Sequence, residues 1–443
     1  MTERASDPME YPQLERRIRS HGARSRVLGS FCWLLIGYGM NAGDSIQVHA
    51  ADSTWLLARG SAGGTGYVTG QLPLNLSLAW EVETKEAIET TPVIDGRSVY
   101  VADAMGGVES LALSDGKSQW RVELDTIFIS SPTMYLPQML DPASVTNQLP
   151  RVGTPVGAEQ LATLRKAIGP TLLLGDVDGY LYAIDPADGT VRWKYETGGE
   201  ISAPVTLFLA NSDEPHLRVL ATSQDGTLYC LELADGELAW TYETNDQIRC
   251  AASIGDGKTF LGGCDGALHV VDLLTGKASG EVVPLGGPTG STPAVDGTSV
   301  FLPIMDSVLF RFEIGGEEAV WQYEDPERTQ EYRNSPALGP HRVVVSSSNR
   351  QVDAIDRETG EHQWRYTLRK KADASPLIVG NDVWIASTDG VLSRLNLKTG
   401  ELRWQYEVRG SFYASPAVLK ESLVITDDRG VVRCFVGNAG SGS

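Results

Sequence analysis

A tryptophan recurs in this 443-residue chain inside stretches of similar wording, and that periodicity restricts the fold more than any other feature. Trp80, Trp120, Trp193, Trp240, Trp321, Trp364 and Trp404 sit in segments such as DGKSQWRVE, DGTVRWKYE, DGELAWTYE, TGEHQWRYT and TGELRWQYE. Their successive spacings are 40, 73, 47, 81, 43 and 40 residues. The 81 spans two units, because TGKASGEV puts Gly280 where a tryptophan is expected. The 73 is one unit carrying an insertion of roughly 30 residues at 138–169. Eight units follow, starting at positions 80, 120, 193, 240, 280, 321, 364 and 404.

Each unit reads as four short strands. In the seventh they are 374–379, 382–387, 391–396 and 401–407, separated by Gly380-Asn381, Asp389-Gly390 and Thr399-Gly400. Turns of this kind, repeated, account for the 47 glycines. Four antiparallel strands at a period near 40 predict an all-β, eight-bladed β-propeller. Pro92, Pro132, Pro204, Pro293, Pro336, Pro376 and Pro416 open the first strand of most units. Proline cannot donate to a ladder, so these strands belong at an edge, innermost and facing the channel. The eighth unit supplies only three strands, 414–419, 422–427 and 431–436. Its fourth is expected to be the N-terminal strand 76–83, which closes the ring and removes two open edges.

Upstream of the repeat, five arginines (Arg16, Arg17, Arg19, Arg24, Arg26) precede the uncharged apolar run Val27–Met40. At 14 residues this run is short for a membrane span, and small residues follow at Val48 and Ala50. Residues 1–50 are therefore expected to be a secretory signal cut near Ala50–Ala51, or else an uncleaved signal anchor. Residues 51–75 form a lead-in, 76–437 the propeller and 438–443 a flexible tail. The net charge of −20 is not due to the leader, since the rest of the chain carries −21. Such acidity excludes nucleic acid as a partner and leaves a membrane reachable only through a signal anchor.

The pattern [S/T]-P-x-V … V-Y-V-A … D-G-x-L-x-x-L-D … T-G-x-x-x-W, clearest in Ser375–Trp404 and Gly179–Trp193, resembles the PQQ-like (quinoprotein-type) β-propeller repeat over roughly 360 residues. The resemblance implies that each tryptophan docks on the neighbouring blade beside a glycine, and that the joint after Gly280 is weaker. Two branches of that family compete. One is the quinoprotein alcohol dehydrogenase, which holds PQQ and Ca²⁺ on the propeller axis. The other is the non-catalytic BamB-type outer-membrane assembly factor. The chain lacks the dehydrogenases' adjacent cysteines and long roofing loops, and Thr54–Trp80 resembles the W-x-x-x-R-G entry of secreted scaffold members. The expectation is a periplasmic or secreted monomeric scaffold with protein partners in the cell envelope, without PQQ or calcium. A carbohydrate- or polymer-binding propeller remains a further alternative.

No constellation signals catalysis. Asp176-Val177-Asp178-Gly179 resembles a fragment of a calcium loop, but the later ligands are missing and the slot recurs as a hairpin turn. His21, His49, His216, His269, His341 and His362 have no metal-ligand spacing, and no G-x-S-x-G appears. Cys250 and Cys264 flank a hairpin turn near Gly257. A symmetric register pairing 254 with 260 would set them opposite one another, as a disulfide or as two free thiols.

Propeller function usually lies on the face carrying the loops between blades and the second-to-third-strand turns. In the last three blades those loops hold Arg328, Arg333, Arg350, Arg369, Lys370, Lys371, Arg409 and Arg429, against Asp325, Glu327, Glu331, Asp373, Asp427 and Asp428. They read as a docking site for an acidic partner segment, or as a mixed solvated surface. The insertion lies on the opposite face. Its Leu161, Leu164 and Ile168 have helical spacing, suited to capping its own blade or docking a partner.

Overall fold

A computed structural model describes residues 54–141, 149–211 and 214–437. The proposed leader, the first lead-in residues and the tail lie outside them. Among the described residues no helix is long and apolar enough to cross a membrane.

The strands form eight sheets with a core of four, each running from an innermost to an outermost strand, and together they make an eight-bladed propeller. Blade 1 is Val93–Ile94, Ser98–Ala102, Gly107–Ala112 and Ser118–Glu123. Blade 7 is Leu377–Val379, Asp382–Ala386, Val391–Asn396 and Leu402–Glu407. Its inner strand starts three residues later than the sequence suggests, because the ladder cannot begin until Pro376 is past. Blade 8 closes as expected. Leu76–Glu83 pairs antiparallel with Val431–Gly437, from Leu76↔Gly437 to Glu83↔Val431.

The tryptophans join the blades. The indole N–H groups of Trp80, Trp120, Trp193, Trp240, Trp321 and Trp364 donate to the carbonyls of Leu113, Pro186, Leu233, Leu273, Arg357 and Leu397, at 2.9–3.2 Å. Each acceptor lies in the third-to-fourth-strand turn of the next blade. Each ring lies on that turn's glycine; a Cβ on Gly276 would stand 2.5 Å from the Trp240 ring and one on Gly400 2.7 Å from Trp364. A left-handed glycine is therefore needed twice over there, for its φ near +70° and for the close approach of the ring. Trp404 instead meets Phe435 edge-on at 5.9 Å, since blade 8 takes its outer strand from the other end of the chain and has no such turn.

The blade 4–blade 5 joint has two features of its own. Val271 bridges Ala278 as Leu231 pairs with Leu238 in blade 3, where Trp240 follows two residues on, so Gly280 stands in the tryptophan slot as expected; from there to Leu268↔Val283 the register shifts by one residue more than in blade 3. The outer strand is only Val283–Pro284, because the extra residue breaks its register. On the other side of the joint, Phe310 and Phe312 of blade 5, 9% and 3% exposed, stack at 5.5 Å within its core.

Seven of the eight inner edges are covered among the described residues. The lead-in runs around the axis and accepts one amide from nearly every inner strand. Trp55 exchanges two 2.7 Å hydrogen bonds with Ile94, and the carbonyls of Leu56, Ala62, Gly63, Thr65 and Gly66 accept from Met134, Ile254, Val295, Leu338 and Ile378 at 2.7–2.8 Å. In all six blades this amide belongs to the second residue after the repeat's proline position. Tyr67–Val68 then pairs in parallel with Ile378–Val379. Blade 3 is served by the insertion, whose Arg151–Gly153 pairs in parallel with Leu209–Asn211. The hydroxyls of the repeat's Ser-Pro and Thr-Pro steps add an inter-blade belt: Ser131, Ser335, Ser375 and Thr91 accept from the amides of Thr91, Thr292, Ser335 and Ser415.

The insertion helix, Ala158–Ala167, lays Leu161 and the following Ile168 into the core of its own blade, the capping alternative. The cysteine register is corrected. Asp256 and Gly257 form a two-residue turn with φ of 48° and 72°, and Ser253 pairs with Phe260, one step from the symmetric expectation. A one-residue slip turns side chains to opposite faces, so Cys250 does not face Cys264. Both are free, and the buried Cys250 thiol lies 3.1 Å from the Gly262 carbonyl.

Candidate partner-binding face

On the loop face, blades 6 and 7 enclose an open concavity of about 620 Å³, lined by Arg328, Arg350, Lys370, Lys371, Ser348, Asn349, Gln351 and Thr388. The loops that shape it are tied down by backbone. Leu368 donates to the Arg350 carbonyl at 2.8 Å, Thr388 to Lys371 at 2.9 Å and Ser348 to Glu331 at 2.9 Å. Beneath them, buried Gln330 bridges Asp325 at 3.1 Å and the Ser347 hydroxyl at 2.7 Å.

Arg350 stands out within this wall. The equivalent turn position is Gly106, Gly179, Gly226, Gly266, Gly390 and Gly430 in six blades, all at positive φ. Ser307 occupies it in blade 5, and Arg350 does so in blade 6 at φ 67°. A non-glycine residue in the left-handed region costs about 1–2 kcal/mol, and such strain concentrates at functional sites.

The structure divides the eight basic residues. Arg328, Arg350, Lys370 and Lys371 line the concavity; Arg333, Arg369, Arg409 and Arg429 do not. Arg369 is held by Asp389 at 2.7 Å and Glu407 at 3.0 Å, Arg333 pairs with Glu331, and Lys371 meets Asp373 at 3.0 Å. Among the described residues Arg328, Arg350 and Lys370 have no ion pair.

Two loop carboxylates also face inward. Asp427 is fully buried against Arg433 at 2.6 Å, and Asp325 is bound by Arg365. Burial alone would raise the Asp325 carboxyl. Hydrogen bonds from the Glu327 amide, Gln330 and Arg365 outweigh it and hold the group at about 2. With both acids neutralised by arginines of the blade bodies, the accessible loops are more basic than their sequence. Sequence reading overlooked Arg365 and Arg433 because they lie on outer and closing strands; their Asp partners share no local motif with them.

The axis is the other place where a propeller of this kind holds a ligand. Here the lead-in occupies it and places Arg59 there, 8% exposed, donating to the carbonyls of Pro376 at 2.9 Å and Pro336 at 2.8 Å. Among the described residues it has no carboxylate partner, and burial pushes its guanidinium down to about 10. Calcium needs several carboxylate or carbonyl oxygens, whereas the charged side chain the lead-in brings to the axis is a cation. Among the described residues no group of three or more His, Cys, Asp or Glu side chains is placed to hold a metal. Asp176 of the calcium-like fragment instead caps its own turn, accepting from the Tyr180 amide at 2.7 Å.

Comparison with known proteins agrees with this architecture. BamB of Legionella pneumophila (strain Paris) is 25% identical over 199 residues, 42% of this chain and 48% of the relative. The chain thus spans about half the length of the curated relative it matches. BamB from Moraxella catarrhalis superposes with a TM-score of 0.63 at 18% identity, covering 83% of this chain and 100% of the other. Quinohemoprotein alcohol dehydrogenase from Comamonas testosteroni superposes with a TM-score of 0.65 at 13% identity, covering 90% and 83%. At such identities the likeness is one of fold, which both branches share. The sequence match decides between them: a family model described as outer membrane protein assembly factor BamB matches residues 155–283 and 282–441, well over half the chain, and the chain belongs to that family of PQQ-like propellers.

Proposed function

We propose that this protein is a non-catalytic scaffold of the cell envelope, acting in outer-membrane protein assembly by holding protein partners on its loop face. The observation that carries this reading is the axis. Lead-in backbone and the Arg59 guanidinium take the place where a catalytic relative would keep its cofactor, so recognition is left to the surface. The basic concavity between blades 6 and 7 suits an acidic, extended partner segment. Arg328, Arg350 and Lys370 offer unpaired cations, and Asn349, Gln351 and Thr388 offer neutral polar contacts.

Cross-linked envelope extracts and a synthetic Asp/Glu-rich peptide test this. Charge reversal at Arg328 and Lys370 is expected to reduce capture of both, with wild-type capture falling as salt rises. Arg369→Glu, outside the concavity and already paired, is expected to have the smaller effect. Capture indifferent to Arg328, Lys370 and salt would place the partner site elsewhere.

A further inference from the structure

The face opposite the basic loops carries a larger cavity at the same joint, about 730 Å³, within the usual range for small-molecule sites. Its wall comes from the first-to-second-strand turns of blades 6 and 7, the end of the third strand of blade 7, and Gln71 of the lead-in. We propose that it binds a small ligand bearing carboxylate or phosphate oxyanions.

The argument is a census of donors and acceptors. Both carboxylates at the site are already spent. Asp356 accepts Arg342 at 2.9 Å and the amides of Glu358 and Thr359 at 3.0 and 3.1 Å. Asp382, 1% exposed, is shared by Arg394 at 2.5 Å and Arg403 at 2.6 Å. The Asn396 side-chain oxygen is used by the Lys398 and Thr399 amides at 2.7 and 3.1 Å, which leaves its NH₂ as a donor.

Donors remain in excess. Arg342 and Arg403 each keep guanidinium N–H groups beyond those bonded to carboxylates, and among the described residues the exposed Lys398 amine and His341 ring have no partner. Among the lining residues Arg342, Lys398 and Arg403 are cations against the one carboxylate Asp356, in a chain whose net charge is −20. Aspartates fix both arginines, so their planar forks are pre-organised for an oxyanion at little entropic cost. Leu397 and Pro340 supply apolar wall for the ligand's carbon frame.

The test uses the purified folded protein, with citrate and inorganic phosphate as probes, by calorimetry at fixed ionic strength. Saturable one-to-one binding of either is expected, and the preferred probe sorts a carboxylate ligand from a phosphate one. Lys398→Glu, on an exposed turn, should weaken binding at least about tenfold. Arg403→Gln should do likewise, and Arg394 still holds Asp382 in that variant. Arg328→Glu, on the opposite face, should leave the affinity unchanged. No binding of either probe at about 10 mM, or binding that survives Lys398→Glu and Arg403→Gln, would overturn the proposal.

Discussion

Replacing Arg350 with glycine separates what the fold wants at this turn from what the face is for. Six sister turns place glycine at this position, and Arg350 holds φ 67° in its stead. Relief of left-handed strain is worth about 1–2 kcal/mol, and the greater freedom of glycine in the unfolded chain takes back about 0.5–1 kcal/mol. Arg350→Gly should therefore be more stable than wild type by up to about 1.5 kcal/mol, with about 0.75 kcal/mol at the middle of the range. For a ring of this size that is only about 1 °C in melting temperature. The informative control is Arg350→Ala, which loses the same charge but keeps the strained backbone. Matched calorimetric scans should rank Gly above Ala, while both lose capture of the acidic peptide to a similar extent. A glycine variant no more stable than the alanine one would refute the strain argument. A glycine variant that captures peptide undiminished would refute the assignment of Arg350 to the site.

Other consequences are open to direct measurement. Trp364→Ala removes a buried ring and its 2.9 Å bond to Leu397, and should cost about 3–5 kcal/mol in urea unfolding. Phe310→Ala should cost a comparable amount if the phenylalanine pair replaces the absent indole at the blade 4–blade 5 joint; a cost below about 1 kcal/mol would contradict that. The Asp325 carboxyl is depressed from 3.8 to about 2, so its stabilising effect is complete above 3.8 and is lost as pH falls toward 2. The stability gap between wild type and Asp325→Asn should accordingly shrink across that interval. Thiol labelling without reductant should find Cys230, Cys250, Cys264 and Cys434 all reactive in denaturant. In the native state the partly exposed Cys264 should label before Cys250, whose burial pushes its thiol up to about 12.

Where the repeat speaks, the sequence is enough. The tryptophans, the turn glycines and the closing strand 76–83 are local patterns whose spacing alone implies a ring. Interactions that depend on one backbone finding another leave little trace. TWLLARGSAGGTGYVTG has no strand period, yet its carbonyls serve six inner strands; only its glycines hint at crowding, as a Cβ on Gly63 would stand 2.4 Å from the Val295 carbonyl oxygen. The same limit explains the charge pattern. Asp325 and Asp427 look like surface acids until arginines 40 and 6 residues away are seen to bury them. The Cys250–Cys264 register failed on a single turn residue, since symmetry about Gly257 ignores the two-residue geometry that Asp256 and Gly257 adopt.

The central claim is that the lead-in and Arg59 take the axis and leave function to the loops. Incubation of the purified protein with PQQ and Ca²⁺, followed by desalting, absorbance of retained quinone and dye-linked alcohol oxidation, tests it most directly. The account predicts no retained quinone and no turnover. Stoichiometric quinone with alcohol-dependent dye reduction would contradict it.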